Sequence, residues 1–424
     1  MSEGKMADRR GLFSWCLYDW ANSAFPTVII TFVFATYFTG SVAEDKITGT
    51  AQWGYAMSLA ALGVAFAAPI FGAIADNTGR RKPWLGTFTL ICMMASAALW
   101  LAEPDPSFAL LALVLAGLAN FAFETGMVFY NAMLPGLAPE SHVGRVSGWG
   151  WGLGYFGGLS CLALTLVGLV QPETPWFGLA KETAEHVRAT GLLVALWFGV
   201  FAIPLFVFTP DSPKKNISLS AAIGKGFGEL KATITQVRQY ADIVKFLIAR
   251  MIYTDGINTL FAFGGIYAAG SFGMELNEII IFAIGMNVTA GLGAAAFGWI
   301  DDAIGPKRTI LIALVGLTGL GAALLVVETK TLFWIFGIPL GLFVGPAQAA
   351  SRSMMAHLAP KELTTEMFGL YAFSGKATAF LGPALLGAVT AAFDSQRVGM
   401  ATILVFFVLG MILLLRVPET THNS

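Results

Sequence analysis

The sequence has few charged residues: Asp, Glu, Lys and Arg make up 12% of its 424 residues, whereas 56% are hydrophobic. Soluble domains carry about 25% charged residues, so this chain has too little polar surface to cover a water-soluble globule. Its mean hydropathy is +0.71. The composition therefore indicates a protein whose main solvent is the lipid bilayer. The net charge of −1 does not bear on nucleic acid, and we expect no nucleic-acid partner.

Cysteine and histidine are also scarce, with three and four residues. The cysteines lie in apolar runs without C-x-x-C spacing, which is typical of small buried side chains, and the histidines are scattered. The sequence contains no phosphate-binding G-x-x-x-x-G-K-(S/T) loop and no nucleophile–base–acid set. We therefore expect no metal, no cofactor, no ATP-driven motor and no enzymatic activity.

Long apolar segments dominate the chain. A transmembrane helix needs about 20 mostly apolar residues, and the alternating segments of an outer-membrane barrel are missing. The sequence therefore predicts an all-α membrane protein with twelve transmembrane helices. We place them at residues 12–40, 51–75, 84–102, 108–134, 145–170, 191–209, 243–269, 278–300, 309–327, 332–356, 366–391 and 398–416.

Most Lys and Arg residues fall in alternate connections between these helices, beginning with the N-terminal tail and residues 80–82. Positively charged connections lie on the cytoplasmic side of a membrane. This pattern predicts that both termini are cytoplasmic.

The longest of the basic connections, residues 210–242, divides the chain into an N-terminal half (1–209) and a C-terminal half (243–424). It contains apolar residues at alternating spacings of four and three: Ile223, Phe227, Leu230, Ile234 and Val237. This spacing predicts an amphipathic helix that lies along the inner membrane surface.

Two motifs occur once in each half and in the same order. Residues 19–25 (DWANSAF) and 255–261 (DGINTLF) both read Asp-x-x-Asn-(Ser/Thr)-x-Phe. Residues 72–82 and 298–308 share Gly-x-x-x-Asp-x-x-Gly followed by basic residues. The repetition predicts two parallel six-helix repeats, with a substrate site between them near the middle of the membrane.

The loops at 72–82 and 298–308 resemble the signature of the major facilitator superfamily. This resemblance covers the whole chain and implies the twelve-helix fold of a secondary carrier.

The chain also resembles, more narrowly, the autophagy-related vacuolar effluxer family and its bacterial relatives. It is carried by residues 18–25, 144–148, 255–259, 348–353 and 374–378. It implies transport and, for the fungal members, export of amino acids from the vacuole. For a bacterial-type member we expect a multi-pass integral protein of the cytoplasmic membrane.

Six charged residues lie inside the predicted helices, although a charge at a helix centre costs about 2.5–3.5 kcal/mol. They are three acids and three bases: Asp19, Glu124, Asp255, Arg250, Arg352 and Lys376. All except Arg250, which we expect to snorkel to the surface, lie at a similar depth in the cytoplasmic half of the membrane. Polar residues share helix faces with them at helical spacing. We predict that the substrate and coupling site consists of Asp19, Asn22, Ser23, Glu124, Asp255, Asn258, Gln348, Arg352 and Lys376.

Two roles compete for this charged layer. In the first, Arg352 or Lys376 receives a substrate carboxylate while an acid carries a coupling proton; Glu124, with its apolar neighbours, is the first candidate for that acid. In the second, interhelix ion pairs lock the cytoplasmic side. The sequence leaves both roles open for Asp19 and Asp255 and favours the first role for Glu124 and Lys376.

The repeated loops carry a further prediction. Gly72 and Gly298 allow neighbouring helices to approach closely, and Asp76 and Asp302 can cap a helix or pair with Arg80, Arg81 or Arg308. We predict that these loops tie the second predicted helix to the third and the eighth to the ninth in one conformation, and so act as switches. The residues concerned are Gly72, Asp76, Gly79, Arg80, Arg81, Gly298, Asp302, Gly305 and Arg308.

The sequence as a whole predicts a monomeric secondary active transporter that moves a small polar organic solute, an amino acid by resemblance. We expect alternating access, coupled to a proton or another cation. One alternative is a proton symporter for a sugar or a peptidoglycan fragment. An alternative of another class is a non-transporting membrane protein, such as a lipid-handling protein or an intramembrane enzyme.

Overall fold

The computed structural model describes residues 6–235 and 237–419, and these residues form helices without any β-strand. Twelve helices are long, and eleven of them have the length and apolar composition to cross a membrane. The other one carries the Asp255 motif, whose polar side chains lower its hydropathy. The helices are α1 (Arg9–Val42), α2 (Lys46–Thr78), α3 (Lys82–Leu101), α4 (Pro106–Gly136), α5 (Glu140–Val170), α6 (Glu185–Phe208), α7 (Ala241–Phe272), α8 (Leu276–Ile304), α9 (Pro306–Val326), α10 (Lys330–Leu358), α11 (Lys361–Phe393) and α12 (Gln396–Leu415).

The prediction of twelve helices is confirmed, and most of the helices extend a few residues beyond their predicted ends. The extensions hold polar capping residues that an apolar template omits. Asp45, for example, precedes α2 and accepts hydrogen bonds from the backbone N–H groups of Ile47 and Thr48, as N-cap residues do.

Two helices are irregular close to predicted site residues. Helix α1 changes from an α-helix at Arg9–Asn22 to π-type hydrogen bonding at Phe25–Phe32. Helix α11 is interrupted at residues 377–380, between two α-helical parts that end at Lys376 and begin at Leu381. Proline contributes to both irregularities, because Pro26 and Pro383 have no N–H group to donate to the helix.

Helices of the two halves pack closely against each other in two places. Gly148 of α5 lies against Gly298 of α8, and Gly369 of α11 lies against Pro69 of α2. In both places a side chain larger than hydrogen would collide with the backbone of the facing helix, so the small residues permit the close approach.

The linker between α6 and α7 contains the predicted helix, at Leu219–Thr235. Its Gly226 lies against Ile74 of α2, and the Asn77 side chain donates a hydrogen bond to the carboxylate of Glu229. The linker helix is therefore anchored on the end of α2.

The first part of the predicted apolar face of the linker helix does not pack on the protein, whereas Leu230 is half-buried. Ile223 and Phe227 are 39% and 51% exposed, whereas the buried side is formed by small residues such as Ala222. The side chains of Ile234 and Val237 lie outside the described part of the chain. Contact of this face with the membrane surface stays a prediction.

The two ends of the described chain reach the same face of the bundle as the linker. The backbone N–H of Ala7, before α1, donates to the carbonyl of Leu137 between α4 and α5. Beyond α12, Glu419 forms an ion pair with Arg308 at 2.7 Å. We call this end of the bundle the terminal face and the other end the opposite face.

Candidate functional site

The acid of the first repeated motif, Asp19 in α1, forms an ion pair with Arg352 in α10. Arg352 Nη1 lies 3.0 Å from Asp19 Oδ2, and the two side chains are 1% and 7% exposed. Because α1 and α10 belong to different halves, this buried pair joins the two halves of the bundle.

The guanidinium of Arg352 is enclosed by further partners. Its Nε and Nη2 donate to the hydroxyl and the carbonyl of Ser147, at 2.9 and 2.6 Å, and Nη1 also donates to Asn131 Oδ1 at 3.3 Å. The rings of Trp15 and Tyr130 lie 4.9 and 5.6 Å from the guanidinium carbon. A buried charge is tolerated only when it is paired and hydrogen-bonded, and this cage meets both conditions.

Glu124 of α4 and Lys376 of α11 form a second ion pair between the halves. Lys376 Nζ lies 2.7 Å from Glu124 Oε1, and the side chains are 27% and 24% exposed. Glu124 was the first candidate for the coupling acid because of its apolar neighbours, but the structure places the counter-charge of Lys376 beside it.

Asp255 repeats the sequence context of Asp19 but not its pairing. Its side chain is buried, and Oδ2 has no hydrogen-bond partner within the described residues. Asn258, one turn further along α7, is exposed.

Arg250, on the same helix, was expected to snorkel to the surface. Instead its Nη1 donates to the carbonyl of Tyr371 and to Ser374 Oγ in α11, each at 2.7 Å. Its guanidinium also lies 3.4 Å from the centre of the Tyr371 ring. The expectation of snorkelling was wrong because α11 supplies partners within the bundle.

A cavity of about 530 Å³ lies between the halves. Its polar lining includes Asp19, Asn22, Ser23, Tyr155 and Gln348, and its aromatic lining includes Phe123, Trp151, Phe261 and Phe282. Along α1 the lining runs from Asp19 to Phe32, about 20 Å at helical rise, and so extends away from the terminal face. Tyr155 Oη donates to Gln348 Oε1 at 2.5 Å, which links α5 to α10 across the cavity.

The structure brings the predicted site residues together in three groups. The cavity is lined by Asp19, Asn22, Ser23 and Gln348, and Arg352 contacts it through Asp19. Glu124 and Lys376 form their own ion pair. Asp255 and Asn258 are not part of the cavity lining.

Asp76 of α2 binds the start of α11, in the other half. Its Oδ1 accepts hydrogen bonds from the backbone N–H and the hydroxyl of Thr365, at 3.0 and 2.6 Å, and Oδ2 accepts from the N–H of Glu366 at 2.9 Å. A carboxylate in this position satisfies free N–H groups at a helix N-terminus. Arg81 Nη2 lies 3.7 Å from Asp76, as predicted, but most of the bonds of Asp76 cross the halves.

Asp302 of the second loop binds Arg145 of α5. Arg145 Nε forms an ion pair with Asp302 Oδ2, and the Arg145 N–H donates to Oδ1 at 3.3 Å. Arg308 pairs with Glu419 instead. The prediction that Asp302 binds Arg308 of its own loop was wrong, because Gly298 lets α5 approach closely enough to place Arg145 beside Asp302.

The remaining loop residues serve the local turns. Gly79 and Gly305 follow α2 and α8 with φ angles of +86° and +88°, which favour glycine. Arg80 is exposed. Gly72 lies against the backbone of Thr365, so the predicted close approach at this glycine connects α2 to α11.

Several residues of the site were missed in the sequence. Ser147 and Arg145 lie within the family-like segment 144–148, so a signal for them existed, but it did not indicate their partners. Trp15 and Tyr130, which flank Arg352, have no signal of their own in a chain with 13% aromatic residues.

Metal ligands are not clustered in the described part of the chain. No group of three or more His, Cys, Asp or Glu side chains there is arranged to hold a metal ion. Cys16, Cys92 and Cys161 are buried free thiols.

The bundle of twelve helices around a central cavity is the major facilitator fold. It is similar to the human organic anion transporter MFSD10, with a TM-score of 0.74 and 12% identity, over 97% of this chain and 100% of that chain. It is also similar to the proton:xylose symporter XylE, with a TM-score of 0.75 and 12% identity over 97% and 96% of the two chains. The transporter FucP in its outward conformation gives a TM-score of 0.74 at 12% identity, over 96% and 98%. At this identity the similarity shows the fold alone.

Within this superfamily, the chain belongs to the vacuole effluxer Atg22-like family, whose model matches residues 39–421. One relative is the uncharacterized MFS-type transporter YxiO of Bacillus subtilis (strain 168), which is 29% identical over 418 residues, 97% of this chain and 95% of that protein. Another is autophagy-related protein 22-1 of Penicillium rubens, which is 26% identical over 305 residues, 66% of this chain and 50% of the fungal protein. Both resemblances noted in the sequence are confirmed, and the chain is a multi-pass integral membrane protein.

Proposed function

We propose that this protein is a secondary active transporter, and not an enzyme, that carries a small polar organic solute by alternating access. The observation that carries the proposal is the cavity between the halves, with the Asp19–Arg352 pair at the end nearest the terminal face. Bonds between the halves close that face at Asp76 and at Asp302. A polar cavity closed at one end by breakable bonds is what a carrier needs in order to expose one site to each side in turn.

In the proposed cycle, residues 1–209 and 243–424 rock against each other, and residues 210–242 connect them. The bonds of Asp76 to α11 and of Asp302 to Arg145 must break before the terminal face opens. Because these bonds join different helix pairs, their simultaneous loss makes the opening a two-state change rather than a gradual one. The repeated loops then act as switches between the halves.

We further propose that both termini are cytoplasmic and that the protein lies as a monomer in a bacterial cytoplasmic membrane. The basic connections on the terminal face support this orientation. In that orientation the described conformation is closed towards the cytoplasm, and its cavity extends towards the outside.

An amino acid is the substrate class that the charges favour. Its ammonium group needs a carboxylate, which Asp19 presents to the cavity. Its carboxylate needs a cation, which Arg352 beside Asp19 or Lys376 beside Glu124 can provide. A zwitterion can therefore replace the internal ion pairs without leaving a buried charge uncompensated. Membership of the Atg22-like family supports the same class.

A sugar or a peptidoglycan fragment is the second candidate. Asn22, Tyr155 and Gln348 line the cavity with uncharged hydrogen-bonding groups, and Trp151 adds an aromatic surface. Hydroxyl groups suit this lining if the ion pairs stay intact during transport.

A thermal-shift screen of the purified protein against amino acids, sugars and peptides tests the proposal. We expect amino acids to raise the unfolding temperature, and Gln348→Ala, which alters the cavity lining, to reduce that shift. Gln171→Ala is the matched control, because Gln171 is exposed beyond the end of α5. Stabilisation by sugars alone would select the second candidate. Stabilisation only by lipids would contradict the transport proposal.

A further inference from the structure

We propose that Asp255, together with the interruption in α11, forms a site for a small monovalent cation, a proton or Na⁺, whose binding drives transport. The proposed site lies in the C-terminal half and is separate from the cavity lining. The inference rests on the proposed carrier function for its role, but the binding of the cation can be tested without any substrate.

The two copies of the repeated motif differ in charge compensation. Asp19 and Asp255 have the same neighbours in sequence, and both are buried. Asp19 has the guanidinium of Arg352 at 3.0 Å. Asp255 forms no ion pair within the described residues, and its Oδ2 has no hydrogen-bond partner there. The two repeats therefore carry similar buried acids, but within the described residues only Asp19 is paired with a basic side chain.

The three basic side chains that lie inside the predicted membrane helices are committed to other partners. Arg250 lies five positions earlier on α7, which places it on a different helix face, and it binds Tyr371 and Ser374. Lys376 of α11 binds Glu124. Arg352 of α10 binds Asp19.

Other groups around this part of α7 supply no charge either. Tyr253, on α7 itself, shares a hydrogen bond of 2.6 Å with Ser351 of α10. On the side of α12, the phenyl ring of Phe407 and the Cβ of Phe406 lie against Gly256. Among the described residues, the surroundings of Asp255 are thus apolar or hydroxyl-bearing and supply no compensating cation.

The interruption in α11 brings a second oxygen ligand to Asp255. Thr378 lies within residues 377–380, where the helix is broken. Its hydroxyl is near enough to Asp255 to interact with the carboxylate, but neither Thr378 Oγ1 nor Asp255 Oδ2 is in hydrogen-bonding geometry with any partner in the described chain. Gly382, just after the break, allows α11 to pack closely on Thr259 of α7.

The charge and the oxygen atoms of the proposed site identify the kind of ligand that it binds. An ionised carboxylate inside a membrane protein is several kcal/mol unfavourable without a compensating cation, so the site must take one up. Carboxylate, hydroxyl and carbonyl oxygens bind hard cations, and interrupted membrane helices supply such oxygens at the Na⁺ and proton sites of secondary transporters. A single carboxylate matches a single positive charge, which favours a monovalent cation over a divalent one.

Binding of the cation to the proposed site can be measured directly on the purified protein. In one arm, the unfolding temperature is recorded in NaCl and in choline chloride at equal ionic strength. In the other arm, infrared spectroscopy records, at neutral pH without Na⁺, the part of the protonated-carboxyl absorption that Asp255→Asn removes. The difference is needed because Asp301 and Glu366 are also buried acids with carboxyl oxygens that lack hydrogen-bond partners in the described chain. The variants are Asp255→Asn, Thr378→Val and the control Thr390→Val, which makes the same change further along α11 at another hydroxyl without a hydrogen-bond partner.

We expect one arm to give a signal that Asp255→Asn abolishes. Stabilisation by Na⁺ identifies a sodium site, and a protonated carboxyl band identifies a proton site. Thr378→Val should weaken Na⁺ binding at least tenfold or shift the carboxyl band, whereas Thr390→Val should change neither. The inference would be overturned if Asp255→Asn diminished neither the stabilisation by Na⁺ nor the carboxyl absorption.

Transport measurements distinguish failure of the carrier proposal from failure of the cation inference. If the protein carries no solute, the cation signals persist while no Na⁺ or pH gradient drives uptake of amino acids or sugars into proteoliposomes. If instead the cation inference is wrong, such gradients drive uptake by the unmodified protein and by Asp255→Asn equally.

Discussion

The buried ion pair between Asp19 and Arg352 gives the most quantitative prediction. Replacing Arg352 by Gln leaves the carboxylate of Asp19, which is 7% exposed, without its cation. Removing one member of a buried pair costs about 3–5 kcal/mol of stability. Asp19→Asn should cost less, because Arg352 keeps its bonds to Ser147 and Asn131.

The double variant Asp19→Asn/Arg352→Gln should be more stable than the sum of the two single changes implies. Close, desolvated charge pairs have coupling energies of about 1.5 kcal/mol or more, which corresponds to a factor of about ten in an equilibrium constant. The exposed pair Lys245–Asp242, with side chains 48% and 47% exposed, is the matched control. Its coupling should be only about 0.2–1 kcal/mol.

The assay is reversible unfolding in mixed detergent micelles, followed by the fluorescence of the 11 tryptophans. Four proteins make up each double-mutant cycle: the unmodified protein, two single variants and the double variant. Additivity within about 0.5 kcal/mol at Asp19 and Arg352 would refute the reasoning, because it would mean that the two charges do not stabilise each other.

Three further predictions concern the contacts between the halves at Gly72, Asp76 and Glu124. Gly72→Ala places a methyl group against the backbone of Thr365 and should destabilise the closed conformation by about 1–3 kcal/mol in the same unfolding assay. The control is Gly54→Ala in the same helix, which should be neutral or stabilising because no atom lies within 4 Å of the added methyl group. Asp76→Asn should slow turnover in proteoliposomes more than it weakens substrate binding, since Asp76 bonds to α11 rather than to the cavity; a loss confined to binding would contradict this. Glu124→Gln tests the proton role expected from the sequence. We expect transport to keep its pH dependence in this variant, because the proposed cation site is at Asp255 and Glu124 is paired with Lys376; loss of the pH dependence would instead make Glu124 the coupling acid.

The sequence predicted those features that depend on local composition and repetition. Runs of apolar residues located the twelve helices, and the repeated Asp-x-x-Asn motif drew attention to Asp19 and Asp255. Helical spacing correctly grouped Asp19 with Asn22 and Ser23 on one face, and all three line the cavity.

Partnerships between remote segments could not be predicted in this way. Asp302 was expected to bind Arg308, six residues away, but its partner Arg145 is 157 residues away and is brought close by the packing of α5 on α8. The unequal environments of Asp19 and Asp255 have the same cause. Two nearly identical motifs acquire different partners because different helices surround them, and no local pattern encodes those neighbours.

In the proposed mechanism, the halves rock about the cavity when the bonds on the terminal face break. The three native cysteines are buried, so spin labels can be attached to cysteines introduced at exposed positions. One pair, Arg80 and Glu362, reports on the terminal face, and the other pair, Glu173 and Asn277, reports on the opposite face.

Double electron–electron resonance should then be compared between the unmodified protein and Asp76→Asn/Asp302→Asn. We predict that the variant populates longer distances between labels on the terminal face and shorter distances on the opposite face. Distances that stay unchanged at both faces, or that lengthen at both together, would contradict alternating access in this protein.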